Sequence, residues 1–400
     1  MSASSSLVAV ASSVTVTDLA VIGGGIVGLS VAWEAARLGR SVTVCDPGPG
    51  QGASWAAAGM IASTSEARVG EEALHELAEA SAALWPAFAA ELEEASGIDV
   101  GLRTEGTLSV AFDQDDYRAL VEAVEVQRSF GCRADVLSGD QCRALEPSLN
   151  PRVVGGVLNP DDHQVDNRAL VRALLQAVVR AGAELRRVAV NRLVVETGSG
   201  GRSKRVAGVG LADGSVLAAE EVVLAAGCHS AAIDGVPVPD VPPVRPVKGQ
   251  ILRLHTGSYG RLLTRTVRAL VQGRSVYLVP RADGEVVVGA TVEERGFDTT
   301  VTAGAVYELL KTALLAVPDV AELEFREAIA RLRPGMPDNG PVLGRASTEG
   351  LLVATGHFRH GVLLAPATAQ AIRELNAGKA VSGPASNFPP ERFRNEGPRA

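Results

Sequence analysis

The feature that most constrains this chain is a cluster of glycines between a short apolar stretch and a long stretch rich in Ala and Leu. Gly23, Gly25 and Gly28 have the spacing GxGxxG; they follow residues 18–22 and open a helical pattern over residues 26–38. In this motif the first glycine permits a tight turn, the second lets backbone approach a pyrophosphate, and the third lets helix and strand pack closely. The pattern predicts a βαβ unit that holds a dinucleotide on the free N–H groups of a helix N-terminus.

An acidic residue stands where the second strand of this unit should end. Asp46 follows the apolar stretch 41–45 and lies 18 residues after Gly28. A carboxylate at that place accepts hydrogen bonds from ribose hydroxyls. The motif and Asp46 together predict a bound dinucleotide, but they do not separate FAD from NAD.

Length and composition indicate a globular protein with more than one domain. The 400 residues exceed the length of about 250–300 residues at which a single core stops growing. Because the net charge is -8 and no basic patch is present, nucleic acid is not the expected partner. No stretch reaches about 18 apolar residues, so we predict no membrane span.

The four cysteines are scattered along the chain and form no CxxC pair. They are Cys45, Cys132, Cys142 and Cys228. Disulfide frameworks and metal sites need tighter patterns, so we interpret them as free thiols in a reducing cytoplasm and expect no metal site.

Four segments resemble the D-amino-acid oxidase superfamily of FAD enzymes. They are residues 52–60, rich in small side chains, residues 224–227, the arginine-proline-glycine segment 331–339 and the glycine-histidine segment 356–366. They occur in the family's order, and the resemblance extends from residue 18 to about residue 378. It is closest to the glycine oxidase branch, which is associated with thiazole formation in thiamine biosynthesis. The resemblance implies FAD as the cofactor.

The resemblance also assigns roles to individual residues. The implied FAD-binding residues are Gly23, Gly25, Ile26, Val27, Gly28, Asp46, Pro47, Ala53, Ser54, Ala58, Gly59, Met60, Val190, His357, Phe358, Arg359, His360, Gly361, Val362 and Leu363. Arg333 matches the arginine that pairs with the substrate carboxylate. Arg359 matches a second substrate-facing position, and Tyr277 matches a substrate-site tyrosine. Such an arginine fork fixes a carboxylate by two parallel hydrogen bonds.

Two residues depart from the family pattern, and a cysteine carried by some related enzymes is missing. His360 stands where asparagine is common, and Met336 stands where threonine or a small polar residue is common. The related monomeric sarcosine oxidases carry a flavin-linking cysteine near the C-terminal arginine segment. No cysteine lies beyond Cys228 here, so we expect non-covalent FAD.

The expected fold is α/β, with a Rossmann-like FAD domain and a substrate domain built on a mainly antiparallel sheet. The FAD domain is expected to comprise residues 18–98, 151–235 and 333–383, and the substrate domain residues 99–150 and 236–332. A flexible N-terminal extension, 1–17, and a loose C-terminal tail, 384–400, complete the chain.

The implied activity is FAD-dependent oxidative deamination of glycine, with sarcosine and small D-amino acids as further substrates. The flavin carries the hydride, O2 takes the electrons, and no side chain is assigned as a base. The products are an imine or glyoxylate, ammonia and hydrogen peroxide. Two alternatives stay open: an FAD dehydrogenase of D-amino acids or 2-hydroxy acids that reduces a quinone, and a flavoprotein without enzymatic activity. The oligomeric state is also open, and a homo-oligomer is one alternative.

Overall fold

A computed structural model describes residues 16–197 and 204–393. Its helices are α1 (Ile26–Arg37), α2 (Ala53–Ala56), α3 (Glu72–Ser96), α4 (Gln114–Ser129), α5 (Gly139–Leu145), α6 (Asn167–Arg180), α7 (Ala303–Ala316) and α8 (Ala365–Asn376). Its strands are β1 (Thr17–Ile22), β2 (Val42–Cys45), β3 (Met60–Ile61), β4 (Thr107–Ala111), β5 (Asp135–Ser138), β6 (Gly155–Asn159), β7 (His163–Gln164), β8 (Glu184–Arg186), β9 (Val190–Thr197), β10 (Lys204–Leu211), β11 (Val216–Leu224), β12 (Arg245–His255), β13 (Thr266–Val271), β14 (Arg274–Pro280), β15 (Glu285–Gly289), β16 (Glu324–Gly335), β17 (Val342–Arg345) and β18 (Leu351–Thr355).

The first of two large sheets contains the predicted βαβ unit. Its strand order is β17-β18-β11-β1-β2-β8, and the pairs from β18 to β8 are parallel. Side chains of β1 alternate between two cores: Leu19 and Val21 pack with α1, α3, α6 and α8, whereas Ala20 and Ile22 pack under the β9–β10 hairpin. Because both faces are covered, the central strands are apolar throughout, as is typical of parallel sheets.

The second sheet has the order β16-β12-β15-β14-β13-β4-β6-β5. All its pairs are antiparallel except β13 with β4. Helix α7 packs on one face of this sheet, where Leu309 and Ala313 join the core. The expected α/β fold with a Rossmann-like part and a mainly antiparallel sheet is confirmed.

Strand pairing corrects two of the expected boundaries. Strand β6 pairs with β4 and β5, so residues 151–159 belong with the second sheet rather than with the FAD domain. Strand β16 pairs with β12 as far as Gly335, so residues 333–335 also belong to the second sheet. Strand pairing determines these domain boundaries in the structure, whereas the sequence prediction placed them from the positions of motifs.

The terminal segments are also more ordered than expected where the structure describes them. Thr17, placed in the flexible extension, is the buried first residue of β1. The prediction of a loose C-terminal tail is wrong for residues 384–393. Phe388 is buried, and its carbonyl accepts a hydrogen bond from Leu343 N–H at 2.8 Å. The Phe388 ring occupies the space over Gly340, where any Cβ would overlap it. Residues 1–15 and 394–400 lie outside the described ranges.

Candidate active site

A cavity of about 1220 Å³ lies between the two sheets. One wall is formed where β1, β2, β11 and β18 end, and the other by residues of β12 to β16. Ligands of open parallel sheets bind at the carboxyl ends of the strands, which is where this cavity begins. Its volume exceeds the roughly 300–1,000 Å³ of a pocket for one small ligand, so a large cofactor and a second small molecule have room together.

The glycine loop between β1 and α1 lines one end of this cavity. Gly23 has φ +108°, and a Cβ on Gly28 would collide with the Gly23 carbonyl oxygen. Ser54 Oγ accepts a hydrogen bond from Ile26 N–H at 2.9 Å. Within the described residues, nothing accepts from the N–H groups of Gly25, Val27 and Gly28. Of these three residues, Gly25 and Val27 line the cavity, and their free donors at the helix N-terminus form a site for a pyrophosphate.

Asp46 is held in place by the backbone of the same region. Its Oδ2 accepts from Gly24 N–H at 2.7 Å, and its Oδ1 accepts from Gly48 N–H at 2.7 Å. Each carboxylate oxygen has a further lone pair, and Asp46 lines the cavity. The carboxylate is therefore fixed and still able to accept from ribose hydroxyls.

The segment of small residues after β2 forms the middle of the cavity. Gly59 has φ +74°, and a Cβ there would collide with the Val165 carbonyl oxygen, so only glycine fits. The buried Arg281 donates to the Ala58 carbonyl at 2.5 Å and fixes the segment from behind. The predicted residues of this region that line the cavity are Pro47, Ala53, Ser54, Ala58, Gly59, Met60 and, from β9, Val190.

A turn between β18 and α8 brings a second set of free N–H groups to the cavity. Helix α8 begins only at Ala365, so the glycine segment is an extended turn rather than the start of the helix. In the described chain, no group accepts from the N–H groups of Gly361, Val362 and Leu363. Phe358 has φ +46°, and its N–H donates to the Pro334 carbonyl at 3.0 Å. The turn is thus tied to β16, and its free N–H groups can donate hydrogen bonds to the electron-rich edge of a cofactor ring in the cavity.

Three of the predicted cofactor residues lie behind the cavity wall rather than on it. They are Gly28, His360 and Leu363. The Leu363 carbonyl accepts from Ser81 Oγ at 2.6 Å and from Trp85 Nε1 at 3.0 Å, which anchors the turn to α3. The other predicted residues of the turn, His357, Phe358, Arg359, Gly361 and Val362, line the cavity.

Both histidines of this turn are buried and neutral. Burial and the neighbouring His360 lower the pKa of His357 to about 3. Burial lowers the pKa of His360 to about 4, although Glu66 opposes the change. His357 Nε2 lies 2.8 Å from Thr368 Oγ1, so His357 joins the turn to α8.

Arg333 and Tyr277 meet at the other end of the cavity, over two glycines of the second sheet. A Cβ on Gly249 would overlap the Arg333 guanidinium, and a Cβ on Gly289 would overlap the Tyr277 ring and hydroxyl. Arg333 Nη1 donates to the Thr291 carbonyl at 3.0 Å, and no described carboxylate forms an ion pair with Arg333. Burial raises the pKa of Tyr277, with Arg333 acting in the opposite direction, so its hydroxyl stays protonated.

Arg359 is placed differently from Arg333, because a carboxylate holds it. Glu66 Oε2 lies 2.9 Å from Arg359 Nε, and Glu66 Oε1 accepts from Arg268 Nη1 at 2.7 Å. Burial alone would raise the pKa of Glu66, but Arg268 and Arg359 outweigh it and hold that pKa below its usual range. Sequence reasoning missed Glu66 and Arg268, which both line the cavity. One sequence signal could have revealed Arg268, because it is a charged residue within the otherwise apolar stretch that forms β13.

Fold and site together define a flavoenzyme class with a nucleotide-binding parallel sheet and a second sheet facing the cofactor. The FAD dependent oxidoreductase family matches residues 18–375. The chain belongs to this family, and FAD is its cofactor.

Several relatives match this chain over most of its length. The glycine oxidase of Geobacillus kaustophilus (strain HTA426) is 34% identical, over 90% of this chain and 92% of its own length. The crystal structure of glycine oxidase from Geobacillus kaustophilus superposes with a TM-score of 0.83 and 32% identity, covering 93% of this chain and 98% of that chain. The bifunctional protein ThiO/ThiG of Trichormus variabilis is 33% identical over 95% of this chain. This chain spans about half (55%) of that bifunctional protein.

The described residues fit FAD at its central pyrophosphate and at its flavin ring. The free donors of Gly25 and Val27 suit the pyrophosphate, and those of Gly361 and Val362 suit the electron-rich edge of the flavin ring. Of the helices in residues 16–197 and 204–393, none is long and apolar enough to cross a membrane.

Proposed function

We propose that this chain oxidises glycine at its amine-bearing carbon, with FAD as cofactor and O2 as electron acceptor. Sarcosine and small D-amino acids are further substrates in this proposal. The support comes from relatives named glycine oxidase, which include that of Pseudomonas putida at 32% identity over 90% of this chain. The proposal includes a reducing, cytoplasmic setting, because Cys45, Cys132, Cys142 and Cys228 are all free thiols.

One observation carries the proposal: Arg333 offers a guanidinium to the cavity without an ion-pair partner among the described residues. A guanidinium without a counter-ion attracts a carboxylate, and its planar fork binds one by two parallel hydrogen bonds. The Tyr277 hydroxyl beside it supplies a further donor to the same carboxylate. These contacts recognise the acid group of an amino acid.

Arg333 and Tyr277 also orient the substrate. Holding the carboxylate at two points fixes the adjoining carbon, and fixed geometry accounts for a large part of enzymatic rate. Bound FAD accepts the two electrons and the hydrogen from that carbon. No side chain is assigned as a base, because Glu66 is occupied by Arg268 and Arg359 and both turn histidines are buried.

The same proposal covers the products and the mode of cofactor binding. The imine is released as such or hydrolyses to glyoxylate and ammonia, and O2 is reduced to hydrogen peroxide. The likeness to the ThiO/ThiG proteins supports a role in supplying thiazole formation for thiamine. We propose non-covalent FAD, because residues 229–400 contain no cysteine. In the proposed division, the cofactor part comprises residues 18–98, 160–235 and 336–383.

The decisive experiment is an absorbance spectrum of the purified yellow protein before and after anaerobic addition of glycine. Glycine should bleach the flavin, and air should restore the colour with release of peroxide. Sarcosine, D-alanine and 2-hydroxyglutarate are tested in parallel. Bleaching only by 2-hydroxyglutarate, or recovery with a quinone but not with air, would favour the dehydrogenase alternative. A flavin that no amine reduces would reject the proposal in favour of a non-enzymatic flavoprotein.

A further inference from the structure

Three side chains of different chemistry converge outside the large cavity. His75 and Glu79 lie on α3, and Cys132 lies shortly after α4; their potential ligand atoms are all within 4.8 Å of one another. His75 Nε2 is 3.5 Å from Cys132 Sγ. His75 is buried, Cys132 is half-buried and Glu79 is exposed, so the cluster opens to solvent on the Glu79 side.

Rigid elements hold this cluster in place before any ligand arrives. His75 and Glu79 are four residues apart on α3 and therefore share one face of the helix. The Phe130 ring stacks on the His75 imidazole at 4.9 Å and fixes its orientation. Cys132 N–H donates to the Gln127 carbonyl at 3.0 Å, which ties the cysteine to the end of α4.

We propose that His75, Glu79 and Cys132 bind a divalent cation of the zinc class. One imidazole nitrogen, one thiolate and one carboxylate oxygen suit Zn²⁺ or Co²⁺, whereas Mg²⁺ and Ca²⁺ prefer oxygen alone. Bond lengths of about 2.3 Å to sulfur and about 2.0 Å to nitrogen at a tetrahedral angle separate the two ligand atoms by about 3.5 Å. That is the observed separation of Sγ and Nε2.

Binding leaves one coordination position for water on the exposed side. As the Cys132 sulfur–metal bond forms, the thiol proton leaves to solvent, so thiolate and carboxylate together balance the cation. The expectation of no metal site rested on cysteine spacing alone. Here the ligands come from two elements far apart in sequence, which spacing does not reveal.

The second ring nitrogen of His75 also favours a metal site. With Nε2 bound to metal, Nδ1 carries the proton, and metal-bound histidines usually donate that proton to a partner. Nδ1 is buried and has no hydrogen-bond partner among the described residues. A cavity of about 10 Å³ adjoins His75, Glu66 and His360, and it has room for about one water as that partner.

The competing interpretation is a simple hydrogen bond between the Cys132 thiol and the His75 imidazole. A thiol–imidazole hydrogen bond does not involve Glu79, whereas the proposed metal site uses the Glu79 carboxylate as a ligand. Glu79 is therefore the residue that separates the two interpretations. Glu76, an exposed neighbour on the same helix and outside the cluster, provides the matched control.

The test is Co²⁺ titration of the FAD-loaded protein after treatment with a chelator. We expect one Co²⁺ per chain. The intense d–d bands of tetrahedral cobalt should appear at wavelengths beyond flavin absorption, and the thiolate charge-transfer band should appear in the difference spectrum against the metal-free protein. Cys132→Ser should abolish the thiolate band. Glu79→Gln should weaken binding at least about tenfold, since even residues that only support a metal ligand have effects of that size. Glu76→Gln should bind as the unmodified protein does.

Three outcomes would overturn the site. One is a Co²⁺ spectrum without a thiolate band. Another is full affinity in Glu79→Gln, which leaves the thiol–imidazole hydrogen bond alone. The last is an equal loss in Glu76→Gln and Glu79→Gln, which indicates non-specific binding by surface carboxylates. Because Glu79 is exposed, its variant stays informative even if Cys132→Ser fails to fold.

Discussion

At the scale of single residues, the position of Arg333 depends on residues that lack side chains. Gly249 on the neighbouring strand leaves the space that its guanidinium occupies, and Gly289 does the same for Tyr277. Arg359 shows the contrast, since Glu66 holds it in an ion pair at 2.9 Å. Two arginines assigned to one substrate from sequence therefore differ in what they can bind.

Arg333→Ala should keep its FAD and lose most of its activity toward glycine. A hydrogen bond to a charged group contributes about 1.5–3 kcal/mol, which corresponds to a fall in kcat/KM of about 10-fold to about 160-fold. The activity of Arg333→Lys should lie between that of the unmodified protein and that of Arg333→Ala, because lysine keeps a positive charge but lacks the planar fork. Steady-state kinetics and flavin content check both variants.

The control for this prediction lies on the same strand. Arg326 is exposed, and its one ion-pair partner among the described residues is Glu324, so Arg326→Ala should leave kcat/KM unchanged. A wild-type KM for glycine in Arg333→Ala would show that Arg333 does not bind the substrate.

At the scale of elements, the glycines of the β1–α1 loop have separate tasks. A Cβ on Gly28 meets the Gly23 carbonyl oxygen, which belongs to the backbone and has no room to move. A Cβ on Gly25 meets only Ser54 Oγ, at 3.2 Å, on the side of the cavity. Gly28 therefore serves the packing of helix on strand, whereas in the proposed site Gly25 serves the approach of the cofactor.

Two substitutions separate these tasks. Gly25→Val should give a folded, colourless protein, because the added side chain occupies the place of the pyrophosphate. Gly28→Ala should instead lower the melting temperature or prevent folding. Circular dichroism, thermal unfolding and flavin absorbance distinguish the two results. A yellow, fully loaded Gly25→Val protein would contradict the assignment of this loop.

Sequence periodicity predicted some elements well and missed others for identifiable reasons. The helix predicted over residues 26–38 is α1 (Ile26–Arg37), because its buried face is strongly apolar. The edge strand β16 was missed, since charged residues alternate along it where one side faces solvent or the cavity. Strand β6 begins with Gly155 and Gly156, and consecutive glycines usually indicate a turn; here Gly155 lies under the Tyr117 ring.

The candidate site was predictable only where its residues form contiguous motifs. The glycine loop and the turn that begins at His357 were identified from such runs, and most of their members line the cavity. Glu66 and Arg268 were not identified, because they are 202 residues apart and meet only through the tertiary fold. Pairs of that kind carry no local pattern.

At the scale of the whole molecule, the segment that lines the cofactor cavity also joins the two sheets. Ala56 and Ala58 pack against Ile251 and Val287 of the second sheet. The buried Arg253 donates from the same sheet to the Trp55 carbonyl at 3.2 Å. Cofactor binding and the association of the two sheets therefore depend on the same few residues.

Buried neutral histidines make the stability of the whole molecule depend on pH. Burial lowers the pKa of His357 to about 3, whereas an unfolded histidine titrates near 6.5. Below about pH 6.5 the unfolded chain gains a proton that the folded chain does not, so stability present at neutral pH is lost as pH falls toward 3. The slope is about 1.4 kcal/mol per pH unit for each such histidine.

His357→Gln tests this effect, since glutamine keeps a hydrogen-bonding group for Thr368 and does not titrate. The unmodified protein should lose melting temperature from about pH 6.5 to about pH 4.5, and the variant should lose clearly less over that range. An identical pH slope in the two proteins would show that His357 is not held neutral.

The glycines at 249 and 289 have a consequence for how such an enzyme can diverge. The volume available to Arg333, Tyr277 and the proposed substrate carboxylate depends on the absence of side chains at these two glycines on adjacent strands. Every glycine codon becomes an alanine codon by a single base change, and an alanine at either position would displace the Arg333 or Tyr277 side chain. On the proposed function, loss of carboxylate recognition is thus one substitution away, and it would leave the cofactor end of the cavity intact.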